Sequence, residues 1–330
     1  MRPNSRTIIE RADIPAFLVT SLVNIRYMTG LDLSAGLLLI RPQLTMLFVD
    51  GRYREVASKR AQRGLTVRDW SSLASVLKRI PRCGCEAEDV TLARVRGWKR
   101  KFKNTKFIQK EGIIEQFRRQ KDSDELRSFR RAQKITHRIM ERIPAALTRG
   151  ITERALAWKL RDWARQLGAD DLAFGPIVAF GSNTSQPHHC PANRKLRKRD
   201  IVQIDVGARV NGYCADQSRV FFVGKPTQWQ QQVYAAVDEA KRAAMEAVLA
   251  GVTNHELDKI ARAVLKRHKL EKYFVHSLGH GVGLEIHEGV SLSQKAPKMK
   301  LLRGEIVTIE PGVYIPGKFG MRLEEEVIAK

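Results

Sequence analysis

No stretch of this chain is apolar for long enough to cross a bilayer. A spanning helix needs roughly 18–20 consecutive apolar residues. The longest candidate near the start, Ala35 to Ile40, has only the length of a buried strand. Arg2 and Arg6 lead into neither the apolar core nor the small-residue cleavage site of a signal peptide. These absences predict a cytoplasmic protein with no membrane partner. Cysteine is scarce: Cys83, Cys85, Cys190 and Cys214. Cys83-Gly84-Cys85 is too tight for an ordinary structural disulfide and does not have zinc-finger spacing. The thiols therefore read as buried or idle in a reducing compartment.

Acidic side chains are also few beside the basic ones, 35 against 59, which leaves a net charge of +24. Residues 1–120 hold 24 basic and 11 acidic side chains, so the excess is densest in the first third. Arg94, Arg96, Lys99, Arg100, Lys101, Lys103 and Lys106 form one cluster, and residues 194–199 another. Such charge attracts nucleic acid, anionic lipid or acidic peptides. No nucleic-acid motif accompanies it, and the basic residues near Trp98, Phe102 and Phe107 do not make a stacking platform. The preferred reading is a solvated basic surface that touches nucleic acid only non-specifically, if at all.

What is present fits a two-domain globular protein, since 330 residues exceed one typical core. Residues 1–115 alternate strand and helix signals and read as a smaller α/β domain. Strands are expected at 16–19, 37–40 and 46–49, the last two around the turn Arg41-Pro42-Gln43. Helices are expected over Tyr53 to Arg63 and Ser71 to Ile80, the second capped by Ser71 or Ser72. Residues 116–330 form the second domain. It opens with helices at 124–147, from a start at Ser123, and 152–167, capped by Thr152 and ended by Gly168. Strands follow at 174–180, 201–209, 213–223, 305–310 and 321–328. Helices at 227–250 and 253–268 intervene, the latter capped by Thr253 or Asn254. The helix-pair and strand pattern occurs twice, as an ancient duplication would leave it.

Asn211-Gly212 is a strong hairpin turn signal. With those two residues as the loop, Val210 pairs with Tyr213 and Gly207 with Asp216. Strand alternation then puts Asp205 and Asp216 on one face, diagonal across the pair. Two buried carboxylates need a cation or a shared proton, and Gly207 leaves room beside Asp216. His280 and His287 lie in the glycine-rich run 279–288, where glycines let backbone approach a site. A single histidine is more often structural, but the Gly-His-Gly context shifts that balance, and the spacing is not that of a phosphate loop. Glu310 ends a buried-looking strand and is costly if unpaired. In Arg322-Leu323-Glu324-Glu325-Glu326, alternation puts Glu324 and Glu326 on one face without saying which reaches the site. An oxygen-rich set with one nitrogen suits a pair of divalent ions such as Mn²⁺, Co²⁺ or Zn²⁺ rather than a closed structural zinc.

These five separated motifs, in this order, resemble the pita-bread metallopeptidases, in the branch of prolidase and aminopeptidase P. In the first domain, 24–30 (Asn-Ile-Arg-Tyr-Met-Thr-Gly) and 49–53 (Val-Asp-Gly-Arg-Tyr) resemble that branch's non-catalytic domain. The resemblance covers nearly the whole chain. It implies an α+β fold: a catalytic pita-bread domain with helix pairs over a curved, mainly antiparallel sheet, plus a smaller N-terminal α/β creatinase-type domain with a dimer or lid role. It implies a homodimer and a cofactor of two divalent metal ions, Mn²⁺ foremost. Asp205 would bind one ion, His280 and Glu310 the other, with Asp216 and Glu324 bridging. Glu324 is selected over Glu326 because it matches the family's Arg-Ile-Glu motif. A metal-bridging hydroxide would attack the bond before proline in dipeptides or short peptides. Glu310 would shuttle the proton. His188 and His287 would contact substrate and stabilise the tetrahedral intermediate, His189 would be structural, and Arg322 would support the carboxylates or face the substrate's carboxylate.

The chain departs from the family in places. Gln217-Ser218-Arg219-Val220 stands where many relatives have x-Thr-Arg-Thr, although Ser218 keeps the hydroxyl. Val290 and Ser291 stand where prolidase-like sequences carry a proline and a carboxylate-holding arginine. That weakens a strict dipeptidase reading and leaves room for longer peptides. The competing expectation is a non-peptidase or binding-only member of the fold with a basic anion-binding surface. Such proteins typically lose ligands, and here all five are kept.

Overall fold

The computed structural model describes residues 3–61 and 64–330, which divide into two compact units at Arg118/Arg119. The N-terminal unit contains a six-stranded sheet in the order β4-β3-β2-β1-β5-β6. Its strands are β1 (Phe17–Val19), β2 (Leu37–Arg41), β3 (Leu44–Val49), β4 (Leu65–Asp69), β5 (Arg82–Glu86) and β6 (Lys106–Lys110). Its helices are α1 (Ser5–Ala12), α2 (Leu22–Thr29), α3 (Gly51–Arg60), α4 (Leu73–Leu77) and α5 (Leu92–Lys101), with a short α6 (Glu115–Arg119) at the division. The β2–β3 hairpin pairs Arg41 with Leu44, so its loop is Pro42-Gln43.

The caps decide where these helices start. The helix expected from Tyr53 begins at Gly51, because the Asp50 carboxylate accepts from Arg52 N. Arg2 and Arg63, both named above, lie outside the described residues. The helix expected over 71–80 is shorter, a 3₁₀ turn over Trp70–Ser72 followed by α4. Its first cap is Asp69, which accepts from Ser71 N, rather than either serine.

The C-terminal unit opens with α7 (Ser123–Ala146) and α8 (Glu153–Gln166). Asp122, not Ser123, caps α7, in a reciprocal capping box with Glu125. Strands β7 (Asp171–Leu172), β8 (Ile177–Phe180), β9 (Ile201–Val206), β10 (Ala208–Val210), β11 (Tyr213–Cys214) and β12 (Gln217–Phe222) follow. Helices α9 (Gln228–Glu246) and α10 (Asn254–Arg267) then precede β13 (Gly279–Gly281), β14 (Glu288–Leu292), β15 (Ile306–Ile309), β16 (Gly312–Ile315), β17 (Phe319–Arg322) and β18 (Glu325–Ile328). Every strand pairing in this unit is antiparallel. Buried residues of α7 and α8, such as Ile139 and Leu160, pack with Val178, Val202 and Ile204. Those of α9 and α10, such as Val237 and Ala261, pack with Val307, Val313 and Met321. The two helix pairs thus cover two successive parts of the strand system.

The strands expected at 201–209, 213–223 and 321–328 are each broken once, and those expected at 174–180 and 305–310 are shortened to β8 and β15. Near 207 and 215 the hairpin passes from the β9–β12 ladder to the β10–β11 ladder. At 310–311 and 323–324 it passes from β15–β18 to β16–β17. Pro311 has no N–H to continue a ladder. These breaks put irregular backbone where the acidic residues stand. The register expected around Asn211-Gly212 is present, with Val210 opposite Tyr213 and Ser218 opposite Asp205. Asn211 and Gly212 both have positive φ, 51° and 82°, as a type I′ turn requires.

Candidate metal centre and active-site cavity

Asp205, Asp216, Glu310 and Glu324 sit at or beside those breaks, on neighbouring chain segments. All four line one cavity of about 670 Å³, together with His188, His276, His280, His287 and Arg322. Gly207 permits the arrangement. A Cβ there would lie 1.7 Å from the carbonyl oxygen of Ala215, so only glycine lets the two strands cross this closely.

The carboxylates crowd one another. Ligand atoms of Asp216, His280 and Glu324 all lie within 4.8 Å of one another. His280 Nε2 is 3.6 Å from Asp216 Oδ2 and 3.4 Å from Glu310 Oε1. Burial, then the charges of Glu324, Asp205 and Glu310, holds Asp216 well above the usual carboxylate range. Burial, then Glu310 and Asp205, does the same to Glu324. Burial lifts Glu310 to about 7 against the pull of Arg322. Burial, then His287, lowers His280 to about 3, so its imidazole is neutral. Nδ1 of His280 lies 3.1 Å from the Gly281 carbonyl, which places the proton there and leaves the Nε2 lone pair free for a metal.

Three buried carboxylate oxygens in this cluster, Asp205 Oδ1, Asp216 Oδ1 and Glu324 Oε1, have no hydrogen-bond partner. Orphaned, mutually repelling carboxylates beside a neutral imidazole are what divalent cations satisfy. The residues present therefore fit a metal centre.

Arg322 is the buried counter-charge. Its Nη2 donates to Asp205 Oδ2 at 2.6 Å, Nε to Ser218 Oγ at 2.9 Å, and Nη1 to Tyr314 Oη at 3.0 Å and Pro187 O at 3.3 Å. Of the two roles expected for it, these bonds favour support of the carboxylates. Sequence reasoning missed Tyr314 and His276. Tyr314 Oη also lies 3.0 Å from His276 Nε2. Burial, then the Arg322 charge, lowers His276 to about 4. Its spacing of four residues before His280 was a usable signal. Tyr314 reads in sequence only as a core aromatic. Glu326, which alternation left beside Glu324, lies behind the cluster, where its Oε1 accepts from Asp216 N at 2.9 Å. Glu325 pairs with His137 and Gln217. Glu324 belongs to neither β17 nor β18, so strict alternation never applied to it. The rings of His280 and His287 meet edge to face at 4.2 Å. His188 is more exposed, lines the same cavity in the run Pro187 to Pro191, and is close enough to His287 for its charge to act there.

Comparison with known proteins identifies the family. Residues 127–330 match the model of metallopeptidase family M24, and residues 2–120 match the creatinase/prolidase N-terminal domain. The Xaa-Pro dipeptidase of Pyrococcus furiosus is 31% identical, over 97% of this chain and 92% of that protein. Among solved structures, the Xaa-Pro dipeptidase from Bacillus anthracis superposes with a TM-score of 0.93 at 32% identity, covering 99% of this chain and 95% of that one. The X-Pro aminopeptidase from Thermotoga maritima gives 0.89 at 32% identity, covering 98% and 95%. The fold is the two-domain, creatinase-like pita-bread fold. By the matched family and by this likeness along nearly its full length, the chain belongs to metallopeptidase family M24.

Proposed function

We propose that the protein is a two-metal exopeptidase that hydrolyses the Xaa-Pro bond of dipeptides or short peptides, with Mn²⁺ as the working metal. The observation that carries this is the convergence of Asp205, Asp216, His280, Glu310 and Glu324 on one cavity, with three of their buried oxygens left without partners. Asp205 and Asp216 would hold one ion and His280 and Glu310 the other, with Asp216 and Glu324 shared. When bound, the pair supplies an activated water and polarises the scissile carbonyl.

The chain's own groups do the rest. Glu310 takes the proton of the attacking water and returns it to the departing proline nitrogen. His188 and His287 donate hydrogen bonds to the carbonyl oxygen as it becomes negative. His287 is lowered by burial, then by His188, so it serves as a neutral donor. Arg322 fixes Asp205. Phe174, Pro176, Ile177, Pro191 and Ile286 supply apolar walls for the pyrrolidine ring and an apolar neighbour.

The names of the relatives support the Xaa-Pro assignment, since dipeptidases and an aminopeptidase resemble this chain along nearly its full length. The binding-only alternative is disfavoured because all five ligand residues are kept and face one cavity. The test is hydrolysis of Leu-Pro, Leu-Pro-Pro and Leu-Ala by metal-stripped protein, with and without added Mn²⁺. Metal-dependent cleavage of either proline peptide and not of Leu-Ala supports the reading. No cleavage of any of the three with metal bound refutes it.

A further inference from the structure

One buried carboxylate outside the metal centre ties down the wall that carries His188. Glu153, the first residue of α8, is fully buried. Its Oε1 accepts from Phe180 N at 2.8 Å and Asn183 Nδ2 at 2.9 Å. Its Oε2 accepts from His189 Nε2 at 2.8 Å and Ala192 N at 3.0 Å. These donors come from both ends and two interior points of the excursion 180–192, and Pro187 to Pro191 of that excursion line the cavity.

The backbone adds to this seam, with Glu153 N donating to Arg194 O at 3.1 Å and Arg154 N to Ala192 O at 3.0 Å. An acidic residue in a first turn is ordinarily explained by the helix dipole. A wholly buried carboxylate with both oxygens taken up by a single loop is more than that, because burying the charge is costly unless every lone pair is used. On the far side, Arg322 holds the Pro187 carbonyl. His188 therefore stands between two anchored neighbours, Pro187 on Arg322 and His189 on Glu153.

The second half of the unit contains the same device in neutral form. Asn254 is the fully buried first residue of α10. Its Nδ2 donates to Ser291 O at 2.8 Å and Pro297 O at 3.1 Å, and its Oδ1 accepts from Met299 N at 3.0 Å. The preceding threonines, Thr152 and Thr253, cap both helices and bridge to Lys195 and Lys300. An amide suffices where the loop offers carbonyls and an N–H. A carboxylate stands where the loop offers four donors, one of them an imidazole.

We propose that Glu153, acting through His189, is a positioning residue for His188. Glu153 fixes the ends of the 180–192 excursion so that the His188 imidazole is held at the reacting carbonyl. This rests on the reading of His188 as a substrate-contacting group. In Glu153→Gln an amide donor would replace an acceptor and face donors, so at least one anchor is lost.

The test is a double-mutant cycle on Xaa-Pro hydrolysis with wild type, Glu153→Gln, His188→Ala and the double variant, with Mn²⁺ stoichiometry measured on each. Glu153→Gln is expected to lower kcat/KM by about 10²-fold at unchanged Mn²⁺ content, as loss of positioning does. In the His188→Ala background the same change is expected to cost less than about 3-fold, because contacts that act through one group are not additive. His189→Ala, which spares the carboxylate, gives the same non-additive pattern should Glu153→Gln fail to fold. Equal losses in both backgrounds, wild-type activity in Glu153→Gln, or no loss in His188→Ala would each overturn the proposal. Hydrogen-exchange protection at Phe180 and Ala192 is read on the same proteins and does not depend on turnover. It falls in Glu153→Gln while α8 stays protected. Unchanged protection overturns the clamp even if the peptidase reading itself fails.

Discussion

Arg322 Nη2 lies 2.6 Å from Asp205 Oδ2, and the two side chains are 5% and 10% exposed. This is the one direct cation–carboxylate hydrogen bond in the cavity. It consumes one oxygen of Asp205 and leaves Oδ1 without a partner. The remaining Arg322 nitrogens are held by Ser218, Tyr314 and Pro187, so the guanidinium has no freedom to follow a ligand.

Replacing this fork therefore costs function even when the charge is kept. Arg322→Lys presents a single ammonium in place of a planar donor set. We expect kcat to fall by about 10²-fold. Arg322→Met, which strands Asp205, should lower stability by about 3–5 kcal/mol. Kinetics and thermal unfolding check both, and a lysine variant within twofold of wild-type kcat would contradict the account.

Gly207→Ala tests the strand crossing. Its methyl group would meet the Ala215 carbonyl, and backbone cannot yield as a flexible side chain can. The prediction is a loss of about 2 kcal/mol or more of stability, from overpacking, together with weakened Mn²⁺ binding as Asp205 and Asp216 separate. A variant with wild-type stability and metal content would show that the crossing is not tight.

Substrate length follows from charge. Of the residues lining the cavity, Arg322 is the one with a permanent positive charge, and it is fully engaged. A dipeptide's free carboxylate finds no spare cation among them. Leu-Pro-NH₂ should thus be cleaved at least as well as Leu-Pro, measured as kcat/KM. A preference of tenfold or more for the free acid would mean that a cation outside this lining holds the carboxylate.

Glu86 in the N-terminal unit gives a pH signature. Burial lifts it to about 7, against hydrogen bonds from Ser21 N, Asn24 Nδ2 and Thr20 N. A carboxyl whose folded pKa is raised stabilises most below its unfolded value near 4.5, and that stability is lost as pH rises through 7. The difference in stability between wild type and Glu86→Gln should shift against wild type by on the order of 3 kcal/mol between pH 4.5 and pH 8. Denaturant unfolding at the two pH values checks this, and a pH-independent difference would contradict it.

Much of the site was legible because its residues carry local signals. Asn211-Gly212 set the register that brings Asp205 and Asp216 together, and the glycines around His280 marked a close backbone approach. The Thr152 and Thr253 caps were readable for the same reason, since a cap is decided within four residues. What sequence did not show depends on distant pairing. Strand β13 has only three residues, too few for a period, and β14 is interrupted near its start by Gly289, whose φ is 66°. The breaks at Glu310 and Glu324 exist because their hairpin changes sheets. Glu153 has the sequence position of an ordinary first-turn acid, and only the folded loop 180–192 closes on it. Tyr314 is tied to the centre through Arg322, and His276 through Tyr314 and the shared cavity, all contacts that strand pairing creates.

The most direct measurement is a calorimetric titration of Mn²⁺ into metal-free protein, followed by assay of the same samples on a Xaa-Pro peptide. The account predicts two ions per chain, activity that appears as they bind, and loss of both in Asp216→Asn and Glu324→Gln. No tight binding, or unchanged stoichiometry in those variants, would contradict it.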